Sequence, residues 1–158
     1  KAQKVIETGV AYGWSSLAFL LSLSKRVDAH LYSVDMPYPG VNNDEYVGCV
    51  IPDDLRHVWT LFRQADRQAI PKAIAASATE VDIVHYDSDK SYDGRMWAYP
   101  QLWASLREGG LFVSDDIEDN AAFKNFSDTL QLKPIVFSSW GGTKTKYIGV
   151  IQKPPHVS

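Results

Sequence analysis

The run Val5-Ile6-Glu7-Thr8-Gly9-Val10-Ala11-Tyr12-Gly13-Trp14-Ser15 constrains the fold more than any other stretch. A hydrophobic strand gives way to a tight glycine turn and then to the start of a helix. Open α/β sheets bind ligands where such a turn leaves the carboxyl end of a strand. Gly9 and Gly13 let the backbone approach a ligand closely, and Glu7 places a carboxylate beside them. A dinucleotide site needs Gly-x-Gly-x-x-Gly so that a pyrophosphate can enter, and here Ala11 takes the middle position. The pattern therefore points to a nucleoside ligand without a pyrophosphate. A second apolar run, Leu31-Tyr32-Ser33-Val34, ends in Asp35, a carboxylate placed for ribose hydroxyls.

Strands and helices alternate along the rest of the chain. Val5–Glu7 and His30–Val34 read as the first two strands, with a helix between them capped by Ser15 or Ser16 and carrying Leu17, Leu20 and Leu21. The stretch Met36–Pro52, rich in proline and glycine and containing Asn42-Asn43-Asp44, reads as a loop at the ligand-binding end of the sheet. A short helix from Asp53, a strand over Thr60–Phe62 and a helix over Gln68–Ala78 follow. Val81–Tyr86 and Leu111–Ser114 are strands. The helix between them carries Met96, Tyr99, Leu102, Trp103 and Leu106 at helical spacing, with Pro100 predicting a kink or a fresh helical turn and Gly109-Gly110 a stop. A helix near Asn120–Leu130 turns Phe123 and Phe126 inward, and Pro134–Ser138 with Lys146–Gln152 form a hairpin around Gly141-Gly142. The reading is an α/β fold: a mostly parallel sheet, helices on both faces and an antiparallel C-terminal hairpin.

Acidic residues end the fourth and fifth strands. Asp87 follows Val81–Tyr86, and Asp115-Asp116 follow Leu111–Ser114, so their side chains converge on one crevice if the strands are neighbours. Clustered carboxylates repel unless a cation, a proton or several donors compensate. Hard oxygen ligands of this kind suit magnesium, manganese or calcium. The bland alternative is that Asp115, Asp116, Glu118 and Asp119 cap the next helix. Asp89 is a substitute ligand, and Lys90 either neutralises the cluster or acts as a base.

At 158 residues, with 45% hydrophobic and 22% charged residues, the chain has the composition of one globular domain. A net charge of −3 argues against nucleic acid as a partner. One cysteine, Cys49, excludes an internal disulfide and a cysteine-rich zinc site, and fits a reducing, cytoplasmic compartment. No run is long enough to span a membrane. Because the first strand begins almost at residue 1, a preceding N-terminal segment is expected; the oligomeric state is not legible.

Four blocks carry a family resemblance: Ile6 to Ser15; Tyr32-Ser33-Val34-Asp35; Val81 through Asp87-Ser88-Asp89-Lys90-Ser91-Tyr92 to Gly94; and Leu106 to Asp116. Together they resemble class I S-adenosylmethionine-dependent methyltransferases, in the small-molecule O-methyltransferase branch that includes enzymes acting on antibiotic sugars and relatives of cephalosporin hydroxylases. The resemblance implies a Rossmann-like methyltransferase fold and methyl transfer to a hydroxyl oxygen of a small molecule, with magnesium as a further cofactor. It implies that Glu7 orients the glycine loop and the methionine moiety. Gly9, Tyr12, Gly13 and Ser15 line that moiety, Asp35 takes the ribose, and Asp66 reaches the adenine amine, although Ala65 replaces the usual glycine before it. Asp87 borders the cofactor and, with Asp115 and Asp116, supplies metal ligands.

The chain departs from the pattern at Lys90, where this branch has histidine in Asp-x-Asp-His-Ser-Tyr, so the general base is Lys90 or His85. His85 lies within a strand and is expected to pack against a helix. Trp14, Tyr92 and Trp140 are candidates for lining the pocket. Asp87, Lys90 and Asp115 are the candidate catalytic residues. Two rivals stand beside this reading: a cofactor-binding domain without turnover and a nicotinamide-dependent oxidoreductase.

Overall fold

The computed structural model describes residues 1–36, 40 and 44–155. Seven strands form one sheet: β1 (Lys4–Thr8), β2 (His30–Val34), β3 (Trp59–Phe62), β4 (Val81–Tyr86), β5 (Leu106–Ser114), β6 (Ile135–Trp140) and β7 (Thr145–Gln152). Their order is β3-β2-β1-β4-β5-β7-β6. The first five strands run parallel, and β7 pairs antiparallel with both β5 and β6. The chain runs outward from β1 to β3, returns to the centre at β4 and then builds in the opposite direction. This reversal between β1 and β4 opens a crevice at their carboxyl ends.

Four helices, α1 (Trp14–Leu23), α2 (Asp66–Ser77), α3 (Tyr92–Ser105) and α4 (Ala122–Thr129), cover the sheet. Side-chain alternation along the strands divides the interior in two. Val5 and Leu31 pack with Leu20 and Leu23 of α1 and with Leu55 of the 3-10 turn Asp53–Val58. Their neighbours Ile6, Val34, Val84 and Phe112 point the other way, into a larger core with α2, α3 and α4. Tyr99 sits at its centre, edge-on to Tyr86 (5.0 Å) and Phe112 (5.2 Å), with its hydroxyl 2.7 Å from Ser114 Oγ. Each such edge-to-face pair adds about 0.5–1.5 kcal/mol to simple burial. Among the described residues no helix is long and apolar enough to cross a membrane.

Three local expectations are corrected. Neither Ser15 nor Ser16 caps α1: the helix starts at Trp14 behind Gly13, without a side-chain cap, because both hydroxyls are drawn to Glu7. A fresh helical turn does not begin at Pro100, because α3 runs through it. Tyr99 and Leu102 on either side of it are fully buried, and that packing outweighs the one hydrogen bond to Met96 O that proline cannot make. Gly109-Gly110 is not a helix stop. α3 ends at Ser105, and the glycines lie inside β5, where its register against β4 shifts between the pairs Val81↔Leu106 and Ile83↔Leu111. Gly109 takes φ +73°, and the pair exchanges hydrogen bonds with Lys153 at the end of β7. A bulge needs a left-handed glycine as much as a helix end does. Asn42 and Asn43 of the anticipated loop lie outside the described residues; Asp44–Tyr46 forms a 3-10 turn within it.

Gly149 of β7 faces α4 so closely that an added Cβ would overlap the Phe123 ring. Gly149→Ala should therefore lower stability by about 1–3 kcal/mol through overpacking. Urea unfolding would show this as a lower midpoint at unchanged slope. An unchanged midpoint would mean that Phe123 moves aside freely.

Candidate active site

The glycine turn is fixed from below by Glu7. Its side chain is wholly buried at the end of β1 and faces α1. It accepts hydroxyl hydrogen bonds from Ser15 (2.6 Å), Ser16 (2.5 Å) and Ser33 (2.9 Å). Ser33 in turn accepts from the Trp59 indole N–H at 2.9 Å. β1, β2, β3 and α1 are thus tied to one carboxylate. Gly9 has φ +81°, and a Cβ there would run into the carbonyl group of Asp87. Only glycine fits where the β1 and β4 loops meet.

Asp35 fixes the turn from the side. Its Oδ2 accepts from the backbone N–H groups of Val10 (2.8 Å) and Ala11 (3.0 Å), and its Oδ1 pairs with Arg63 at 2.5 Å. Arg63 also bridges to Asp44. A carboxylate offers about four acceptor positions; three are filled, which leaves one on Oδ1 for a ligand. The segment around Gly48 braces the turn from above: Gly48 N–H donates to Ala11 O (2.9 Å) and Val50 N–H to Tyr12 O (3.2 Å).

These contacts enclose a cavity of about 1010 Å³ at the switch point between β1 and β4. Gly9, Tyr12, Gly13, Ser15, Asp35, Asp66 and Asp87 all line it, as do Trp14, Met36 and Tyr46. Glu7 does not line it but holds the wall in place. Asp66 starts α2 and accepts from Ser88 Oγ (2.6 Å), which in turn accepts from the Thr8 hydroxyl (2.8 Å). Burial raises the pKa of Asp66 above the usual carboxylate range, and the Ser88 hydrogen bond only partly offsets it.

Asp87 also faces a second group. Asp87, Asp115 and Asp116 each offer a carboxylate oxygen, and the three atoms lie within 4.8 Å of one another. Two lysines share the cluster. Lys90 Nζ pairs with Asp87 Oδ1 and lies 3.1 Å from Asp116 Oδ2; Lys146 Nζ lies 3.0 Å from Asp116 Oδ1. Burial raises the pKa of Asp87, although Lys90 works against it. Burial would raise Asp116 as well, but hydrogen bonds from Lys146 and Lys90 outweigh it and hold that carboxyl below its ordinary value. The donor set is three hard oxygens, which suits a divalent ion such as magnesium. Asp89 lines the cavity but stands outside the cluster: its Oδ1 accepts from Ser91 N–H, and its carboxylate packs against Gly94 at the start of α3.

His85 packs beside Phe19 of α1, with Nδ1 3.8 Å from Glu7 Oε1, away from the acidic cluster. Tyr92 and Trp140 do not line the cavity; the Tyr92 hydroxyl accepts from Asn125. Arg63, Ser33 and Lys146 were not foreseen. Lys146 reaches the site only through the β5–β7 pairing, in which Ser114 faces Gly149, and no spacing in the sequence announces that.

The raised pKa of Asp66 means that the folded protein binds its proton more tightly than the unfolded chain. Stability is therefore lost as pH rises through the interval above about 3.9, and the deficit persists at neutral pH. Asp66→Asn, which keeps an acceptor for Ser88, should melt higher than the native chain at pH 7.5. The two should converge below about pH 4. Parallel melting curves at every pH would show that Asp66 is ionised at no cost.

Comparison with known proteins agrees with this geometry. No curated protein matches the sequence. Among solved structures, the O-methyltransferase from Bacillus cereus in complex with SAH superposes with a TM-score of 0.78 at 10% identity, over 96% of this chain and 74% of that one. TomG from Streptomyces achromogenes, an O-methyltransferase of tomaymycin synthesis in complex with SAM, gives 0.75 at 15% identity, over 96% and 74%. The TDP-rhamnose 3'-O-methyltransferase of calicheamicin biosynthesis gives 0.68 at 16% identity, over 93% and 71%. These likenesses establish the fold. The family model described as "Methyltransferase domain" matches residues 6–117, which contain the glycine turn, Asp35, Asp66 and the acidic cluster, and the chain belongs to that family.

Proposed function

We propose that the chain transfers a methyl group from S-adenosylmethionine to a hydroxyl oxygen of a small molecule. The observation that carries this reading is the double position of Asp87, which lines the cavity beside the glycine turn and belongs to the acidic cluster. A ligand in the cavity and an acceptor at the cluster would meet there. The solved neighbours described as a TDP-rhamnose 3'-O-methyltransferase and as an O-methyltransferase of tomaymycin synthesis support a hydroxylated small molecule as the acceptor.

Each residue then has a task. Glu7 holds the turn, and Gly9, Tyr12, Gly13 and Ser15 form the wall against the methionine moiety. Asp35 has one acceptor position left, which limits it to one ribose hydroxyl. Asp66, which lines the cavity at the start of α2, is assigned to the adenine amine. When bound, the cofactor supplies a methyl carbon made electrophilic by its sulfonium, and the protein's work is alignment and proton removal. Lys90 Nζ, at the junction of the two halves and ion-paired with Asp87 and Asp116, stabilises the oxyanion that forms on the acceptor, and the hydroxyl proton passes to the Asp87 carboxylate. Asp115 and Asp87 border the reacting hydroxyl. Asp87, Asp115 and Asp116 would hold a magnesium ion, which would supply polarisation of that hydroxyl.

A cofactor-binding domain without turnover is the second reading. It is favoured by the lysines that already neutralise the cluster.

Calorimetric titration with S-adenosylhomocysteine separates these readings from a chain that binds no such cofactor. The native chain should bind, and Gly9→Ala should lose at least ~100-fold in affinity, because the loop cannot accept a Cβ without reopening the site. Transfer of a labelled methyl group to a panel of sugars, diols and catechols, with magnesium or chelator, then tests catalysis. Lys90→Met should cut turnover by about 10²–10⁴-fold while leaving S-adenosylhomocysteine affinity in place. Binding without transfer to any acceptor would favour the second reading, and no binding would overturn both.

A further inference from the structure

Arg95 lies on α3 beneath the carboxyl end of β5 and is wholly buried. Its guanidinium stays charged, and burying a charge is tolerated only with good partners. Here the partners are mainly backbone. Nη2 donates to Asp116 O at 3.0 Å and more weakly to Asp115 O at 3.4 Å, while the Asp119 carboxylate lies 3.8 Å away. Among the described residues Nε and Nη1 have no acceptor. This is a poorly satisfied ion pair, and an aliphatic side chain would fill the same space at lower cost.

The contacts fall on an unusual turn. Asp116 has φ +48° and ψ +42°, the left-handed region, which Asp enters more readily than most non-glycine residues but still at a cost. Within the turn, Asp116 N–H donates to Asp115 Oδ1 at 2.9 Å, and Asp119 N–H donates to Asp116 O at 3.2 Å. With both carbonyl oxygens drawn inward to Arg95, the two carboxylates are left facing Asp87. Arg95 also belongs to the first turn of the helix that follows Asp87 and Lys90, and its own N–H donates to Ser91 O at 3.1 Å. It therefore links the loop after β4 to the loop after β5.

We propose that Arg95 is a positioning residue: by gripping the carbonyl oxygens of Asp115 and Asp116 from beneath, it holds the acidic pair in register with Asp87. The functional consequence rests on the reading above, in which these carboxylates face the acceptor and a divalent ion. Arg95→Met keeps the length and removes the donors; Arg95→Lys keeps the charge and one reach to a carbonyl.

Two measurements on the full chain test this. The first is hydrogen exchange. In Arg95→Met, amides 115–119 should exchange at least tenfold faster, while those of β1, β2 and α2 keep their native rates; Arg95→Lys should lie between. Exchange that rises equally through the whole sheet, or stays native at 115–119, would overturn the proposal. If Arg95→Met does not fold, Arg95→Lys carries the same comparison. The second is binding of Mn²⁺ followed by its paramagnetic resonance, with S-adenosylhomocysteine titration as control. Arg95→Met should lose at least tenfold in Mn²⁺ affinity at native S-adenosylhomocysteine affinity. Native Mn²⁺ affinity in that variant would overturn the positioning role. If the native chain binds no Mn²⁺, the metal reading falls by itself and the exchange pattern alone decides the role of Arg95.

Discussion

Everything at the ligand end of the sheet depends on one buried carboxylate. Glu7 has no solvent contact, and its nearest cationic candidate, His85 Nδ1, is 3.8 Å away. An isolated carboxylate in such a place would be too costly to keep. Three serine hydroxyls, from α1 and from β2, make it tolerable. The dependence is mutual, since each hydroxyl is itself buried or partly buried and needs that acceptor. Glu7 therefore sets how α1 leaves the glycine turn, and with it the width of the cavity mouth.

A turn held only from below would still be free to swing. Asp35 removes that freedom by taking two successive amides of the turn, and Arg63 holds Asp35 in place. The segment around Gly48 and Val50 adds two backbone hydrogen bonds from above. The ligand thus meets a loop whose conformation is already formed, and the entropy of ordering it is not charged to binding. The same fixity narrows what Asp35 could do for a ligand: three of its acceptor positions are filled and one is left.

The fold was legible in the sequence because strands buried on both faces write themselves as apolar runs. Val81–Tyr86 and His30–Val34 appear at their expected bounds for that reason. Local signals failed where two uses of the same residue compete. Serines after a glycine turn read as helix caps, yet a buried acid three-dimensionally close outbids the helix amides. A glycine pair reads as a helix stop, yet serves a bulge equally well. In the site, the residues at strand ends were readable, since topology alone brings them together. Arg63, Lys146 and Arg95 were not, because each arrives through a pairing register or a helix rotation that leaves no mark in spacing.

The register between β1 and β4 then acquires a chemical meaning. Thr8 pairs with Tyr86, Asp87 N–H donates to Thr8 O at 2.9 Å, and Gly9 packs directly on the Asp87 carbonyl. The backbone that would carry the methyl donor and the residue that would meet the acceptor are therefore adjacent across one strand pair, with no flexible segment between them. A β-ladder slips only in whole residues, and each slip turns every side chain to the other face. The distance between the two halves of the proposed reaction is thus set by a strand pair at the centre of the sheet. Tuning is left to what surrounds Asp87: the lysines on its far side and the turn at Asp115-Asp116, whose shape depends on a buried guanidinium rather than on the sheet.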